Sequence, residues 1–120
     1  MLAGEIVHVE FPSVDADRAQ KFWSGLFGWS FKDSGMSDMD YRMARVNEDF
    51  GVAVFPSDDR TGYPNYYFLV ADVEASIAKV RELGGKTEAK IPVPGMGWFV
   101  VCKDSEGNTF RLFQANSSAA

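Results

Sequence analysis

A strand–turn–helix unit occurs twice in this chain, and that repetition narrows the available folds more than anything else in it. From Ile6 to Trp29 the residues IVHVEFPSVDADRAQKFWSGLFGW pass from alternation, through a Pro-Ser break, into helical spacing. From Asn65 to Gly85, NYYFLVADVEASIAKVRELGG follows the same plan. His8 stands seven residues before Asp15 and Asn65 seven before Asp72, an offset of 57 in a chain of 120 residues. In the first copy Asp15 or Asp17, and in the second Asp72, can accept from the free N–H groups of the helix's first turn, and Gly28 and Gly84 stand where each helix should stop. The repetition predicts two copies of one module, strand, helix, then three strands: module one at about 1–56, a linker at about 57–64, module two at about 65–115 and a frayed tail at 116–120.

Alternation assigns faces within these modules. On the first strand Val7, Val9 and Phe11 form a wholly apolar side suited to a helix-covered core, which turns His8 and Glu10 to the opposite side. Ala19, Phe22, Trp23, Leu26 and Phe27 fall at helical spacing and predict the buried stripe of the first helix. Short strands are expected at Trp29–Phe31, Tyr41–Val46 and Val52–Phe55, with a loop over Lys32–Asp40. The linker PSDDRTGYP carries two prolines and a glycine. In the second copy Ile77, Val80 and Leu83 share one helical face, Lys86–Ile91 should be a strand, and Pro92–Gly97 reads as a loop or rim segment. Trp98–Lys103 and Thr109–Gln114 should pair as a hairpin around Asp104-Ser105-Glu106-Gly107-Asn108.

Composition removes several functional classes. Seventeen acids against twelve bases leave a net charge of −5, the wrong sign for a phosphate-backbone partner, so no nucleic-acid binding is expected. The lone Cys102 excludes an internal disulfide and should sit in a strand as a small buried hydrophobe. The N-terminus has neither a basic region nor a long apolar run, which points to a cytoplasmic protein with no membrane partner. Phosphate loops, Cys-x-x-Cys pairs and serine-nucleophile elbows are absent, and Gly95-Met96-Gly97 lacks the helix a dinucleotide fingerprint requires.

HVEFPSVDADRAQKFWSGLFGW, LVADVEASIAKVRELGG and the closing DSEGNTFRLFQ resemble the vicinal oxygen chelate superfamily, which includes glyoxalase I, bleomycin-resistance proteins and extradiol dioxygenases. The likeness covers nearly the whole chain and is nearest to the small glyoxalase-like proteins of unassigned reaction. It implies an α+β fold of two βαβββ modules, forming an open U-shaped mixed sheet with helices outside and a ligand cleft inside, commonly in a homodimer. Metal enzymes of this superfamily hold a divalent ion through matching positions of the two modules. His8 fits the first position. The second falls in Gly51–Phe55, which offers no ligand, the third on Asn65, and the fourth on Arg111, which cannot deprotonate to ligate. No cofactor is therefore expected, and a divalent metal is disfavoured.

Three functions follow from the resemblance: a glyoxalase-like protein binding a small organic molecule in a metal-free cleft, a drug-binding protein of the bleomycin-resistance kind, or a metal-dependent lactoylglutathione-lyase-like lyase or dioxygenase. His8, oriented by Glu10, is the candidate acid–base pair, against the reading that it only holds hydrogen bonds at a vestigial ligand position. Asn65, Tyr67, Trp98, Arg111 and Phe113 are the candidate ligand-binding residues. Arg111 either pairs with Glu10 or anchors an anionic group, Asn65 either orients a ligand or satisfies a strand edge, and Tyr67 and Trp98 line a pocket or simply fill a core. Arg42 and Arg45 point to opposite faces of one strand, and alternation does not say which faces the site.

Overall fold

Asp15 starts the first helix: its extended backbone sets the entry, and its carboxylate accepts from the Arg18 N–H at 3.0 Å. Gly28, at φ 73°, ends it by donating its N–H to the Ser24 carbonyl. Asp72 does the same for the second helix, accepting from Glu74 and Ala75. The repeat read in the sequence is thus carried by matched caps in a computed structural model that describes residues 3–35, 39–58 and 63–119. The elements run β1 (Ile6–Ser13), α1 (Ala16–Phe27), β2 (Lys32–Asp33), β3 (Arg42–Arg45), β4 (Gly51–Pro56), β5 (Asn65–Leu69), α2 (Val73–Glu82), β6 (Lys86–Thr87), β7 (Ile91–Val93), β8 (Gly97–Lys103) and β9 (Thr109–Ala115). The fold is α+β, and no helix among the described residues is long and apolar enough to cross a membrane. Residues 36–38 of the expected Lys32–Asp40 loop, 59–62 of the linker and 120 of the tail lie outside the described residues.

The chain forms two compact units, one spanning Val7–Asn65 and the other joining the first residues, up to Ile6, to the stretch from Tyr66 onward. In the first, β4 pairs in parallel with β1 and antiparallel with β3, and β2 extends β3. Val9, Phe31, Ala44, Val52 and Val54 form the core, with Phe11, Ala19, Trp23, Trp29 and Phe50 packed on it. The helix stripe is narrower than its spacing suggested. Trp23 anchors it, stacked at 4.7 Å on Phe11 and 5.4 Å on Trp29. Phe22, Leu26 and Phe27 remain 61, 57 and 58% exposed. The indole takes the central place between helix and sheet: Phe22 meets it edge-on at 5.2 Å, and Phe27 lies nearly parallel to it at 6.1 Å on the outer side. Phe31 enters the core from the irregular stretch before β2 rather than from a strand of its own.

In the second unit β9 pairs in parallel with β5 and antiparallel with β8, while β6 and β7 pair with successive parts of β8. Val73, Val100, Cys102 and Leu112 form its core with Phe68, Val70, Ile77, Val80, Trp98 and Phe110. Leu83, expected on the buried face of α2, is exposed because the helix has already ended. Cys102 is buried in β8 as expected, and burial pushes its thiol up to about 11, which leaves it chemically quiet. The expected Lys86–Ile91 strand is two shorter ones. The expected Pro92–Gly97 loop is a tight hairpin, with Pro92 opposite Trp98 and Val93 opposite Gly97. Residues 116–119 are not frayed: the Ala119 carbonyl accepts from Gly95, and Asn116 donates to the Met96 carbonyl, so the tail staples that hairpin.

Gly97 is required by space rather than by backbone angle. A Cβ there would overlap the Gln114 carbonyl oxygen and stand 2.7 Å from the Phe113 ring. Phe113 therefore lies over β8 where only a hydrogen fits.

Candidate functional site

β1 delivers Val9 and Phe11 to the core beneath α1, and the strand's alternation turns His8 and Glu10 to the other side. The same rule applied to β3 and β4, whose Ala44, Val52 and Val54 are core, turns Arg45, Gly51 and Ala53 to the side of His8. There the side chains form one hydrogen-bonded chain. His8 Nε2 lies 2.7 Å from the Tyr41 hydroxyl. That hydroxyl donates to Glu10 Oε2 at 2.5 Å, and Asn65 Nδ2 donates to Glu10 Oε1 at 3.0 Å. Glu10 is 8% exposed and Tyr41 7% exposed. At that depth hydrogen bonds must replace the water a carboxyl group gives up, and among the described residues a tyrosine and an amide supply two of them.

Arg45 lies beside this chain, its guanidinium donating to the Glu48 carbonyl. A Cβ at Gly51 would stand 3.4 Å from Arg45 Nη1 and 3.6 Å from His8 Nδ1, so the missing side chain leaves the imidazole and guanidinium bordering one small space. Burial holds the His8 imidazole below its usual value; Glu10 pulls it up and Arg45 pushes it down. Arg42 takes the opposite face, where it reaches Asp17 and Gln20 of α1 and Asp40, each at 2.9 Å, and braces the helix against the sheet. The two arginines therefore divide between the faces: Arg45 lies on the His8 side and Arg42 on the α1 side.

In the second unit, Tyr67, Phe99, Arg111 and Phe113 share the strand face away from α2. Arg111 Nη1 donates to the Tyr67 hydroxyl at 2.7 Å, and its guanidinium carbon lies 5.4 Å from the Tyr67 ring centroid and 5.6 Å from that of Phe99. Two aromatic faces and a phenol thus hold the cation in place. Trp98 points the other way. It packs with the α2 core, under the Lys90 ammonium at 4.3 Å from its ring, because Val100 and Cys102 fix the parity of β8. The neighbour one residue on, Phe99, takes the position beside Arg111.

Of the residues singled out from the sequence, His8, Glu10 and Asn65 come together in one chain, and Tyr67 with Arg111 in one cluster. Tyr41, which links His8 to Glu10, and Phe99 escaped sequence reasoning. Parity puts Tyr41 in step with Arg45 and Phe99 out of step with Val100 and Cys102, but only the buried cores say which parity faces the site. Among the described residues, the usual metal-ligand types on the first unit's face are His8 and Glu10, while β4 contributes only a hydrogen and the Ala53 methyl. Among the described residues no three His, Cys, Asp or Glu side chains converge.

Comparison with known proteins agrees with this architecture. The sequence pattern of the Glyoxalase-like domain family matches residues 8–113. A glyoxylase-like domain-containing protein of Didymella fabae is 29% identical over 93% of this chain and 94% of its own length. The putative glyoxylase CFP32 of Mycobacterium bovis is 30% identical over 90% of this chain, which spans 44% of that protein. Among solved structures, a hypothetical protein from Bacillus halodurans superposes with a TM-score of 0.75 at 11% identity, covering 99% of both chains. Methylmalonyl-CoA epimerase from Mycobacterium tuberculosis gives 0.70 at 16% identity, over 97% of this chain and 93% of that one. With two capped strand–helix units and a family match across nearly its full length, the chain belongs to the glyoxalase-like domain family of the vicinal oxygen chelate superfamily.

Proposed function

We propose that this protein binds a small organic molecule at the strand face bearing His8, Glu10, Tyr41, Arg45 and Asn65, and that it does so without a resident divalent ion. The observation that carries the reading is the buried, fully directed chain from Asn65 through Glu10 and Tyr41 to His8. Apolar side chains would stabilise this sheet face at lower cost, since a buried ionisable group must be repaid by its partners. Ionisable groups held at such depth, with one perturbed imidazole among them, concentrate where ligands are handled.

The donor set argues for the metal-free form. A divalent ion needs three or four converging donors. His8 and Glu10 supply two, both already committed to Tyr41, and the guanidinium of Arg45 beside them adds unfavourable charge for a cation. Elemental analysis after equilibration with nickel, zinc and manganese and then dialysis should find no stoichiometric ion. An ion retained at one per chain and released by His8→Ala would overturn the metal-free form.

For the ligand, thermal shift and chemical-shift titration with S-lactoylglutathione, methylmalonyl-CoA, bleomycin and a fragment library of small carbonyl and carboxylic compounds provide the test. At least one compound should bind wild type saturably and bind His8→Ala at least tenfold more weakly. Failure of every compound, or binding untouched by that substitution, would refute the assignment.

A further inference from the structure

The hydrogen-bonded chain has a direction, and the direction sets the chemistry of His8. Asn65 Nδ2 has only protons to offer, so it donates to Glu10 Oε1. The Glu10 carboxylate has only lone pairs, so Tyr41 places its single hydroxyl proton on Oε2, at 2.5 Å. The Tyr41 oxygen then meets His8 Nε2 at 2.7 Å as an acceptor, and the proton of that contact must sit on Nε2. In a neutral imidazole the basic atom is then Nδ1. Nδ1 is the nitrogen nearest the space left by Gly51, which Arg45 borders from the other side.

We infer that Tyr41 is a positioning residue which conveys the charge of Glu10 to His8, holding the ring as the Nε2–H tautomer with Nδ1 as its proton-accepting atom. Should the ring take up a second proton, it keeps its Nε2–H on Tyr41, with the Glu10 carboxylate balancing the imidazolium. The tautomer is a property of the unliganded protein and does not rest on the functional reading above.

His8 is the only histidine in the chain, so the tag-free, isotope-labelled protein gives one imidazole spin system. Long-range proton–nitrogen correlation spectra above neutral pH report which nitrogen carries the proton. Wild type should show Nε2–H, with a slowly exchanging ring proton. Imidazole in water already favours that form, so the decisive variant is Glu10→Gln. Asn65 would still donate to the amide oxygen, which turns the amide NH2 toward Tyr41. Tyr41 would then donate to His8, and the proton should move to Nδ1. Tyr41→Phe supplies an independent readout: the Nε2–H proton should lose its slow exchange. An Nδ1–H wild type, an unchanged tautomer in Glu10→Gln, or a slowly exchanging Nε2–H that survives in Tyr41→Phe would each overturn the inference. Ligand titration remains a separate result, so failure of the tautomer assignment and failure of the binding assignment are told apart.

Discussion

Replacing Tyr41 with Phe removes one oxygen atom and nothing else, and the structure says what that oxygen does. It donates to a carboxylate that is 8% exposed and, in the tautomer inferred above, accepts from a half-buried imidazole. A hydrogen bond to a charged partner contributes about 1.5–3 kcal/mol and a neutral one about 0.5–1.5 kcal/mol, with the larger values where the abandoned partner stays buried. Tyr41→Phe should therefore cost about 2–4 kcal/mol. With a urea m-value of roughly 2 kcal/mol per molar for a small domain, the midpoint should fall by about 1–2 M at unchanged m. Tyr63→Phe is the control, since that ring is 83% exposed and its loss should stay within about 0.5 kcal/mol. Adding Glu10→Gln to the Tyr41→Phe background should cost less than adding it to wild type, because the partner it served is gone. A Tyr41→Phe variant within about 0.5 kcal/mol of wild type would mean that water already satisfies Glu10 and His8. The argument for a preorganised site would then fail.

Because burial lowers the His8 pKa below its ordinary 6.5, the unfolded chain takes up a proton before the folded one on acidification. His8's contribution to stability is then complete above about 6.5 and is lost as the pH falls through the folded value, at a slope of at most about 1.4 kcal/mol per pH unit. Glu10 opposes this shift and Arg45 adds to it, so His8→Gln should flatten urea stability against pH in that window; a slope unchanged by the substitution would contradict it. Gly97→Ala forces a Cβ against the backbone of the paired strand and should cost more than about 3 kcal/mol by urea denaturation, whereas Gly107→Ala meets open space and should cost only the roughly 1–2 kcal/mol of its positive φ. The reverse order would refute the tight β8–β9 approach. Trp23→Ala should lose about 3–5 kcal/mol and Phe22→Ala under about 1 kcal/mol, since only the former is wedged between Phe11 and Trp29; equal losses would show that Phe22 is covered in solution.

Local chemistry was legible in the chain without any coordinates. Two aspartates at matched offsets make two helix starts, glycines mark their ends, and alternation on β1 separates Val9 and Phe11 from His8 and Glu10, because caps and parity depend only on neighbours a few residues away. The closing hairpin was equally plain: Asp104 accepts from the N–H groups of Glu106 and Asn108. Competition for space was not legible. Five apolar residues at helical spacing do not say that one indole will fill the gap and leave Phe22, Leu26 and Phe27 outside. Nor does a loop rich in proline and glycine say that a C-terminal tail will staple it into a hairpin. Alternation gives opposite faces to Trp98 and Phe99 but not which face meets α2; that follows from where Val100 and Cys102 are buried. The site shows the same division. His8, Glu10 and Asn65 are candidates by type and position, yet the hydroxyl that joins His8 to Glu10 comes from a residue 31 positions along the chain from Glu10. A hydrogen bond needs two atoms within about 3 Å, and only the packing of β3 against β4, and of β4 against β1, brings those atoms together.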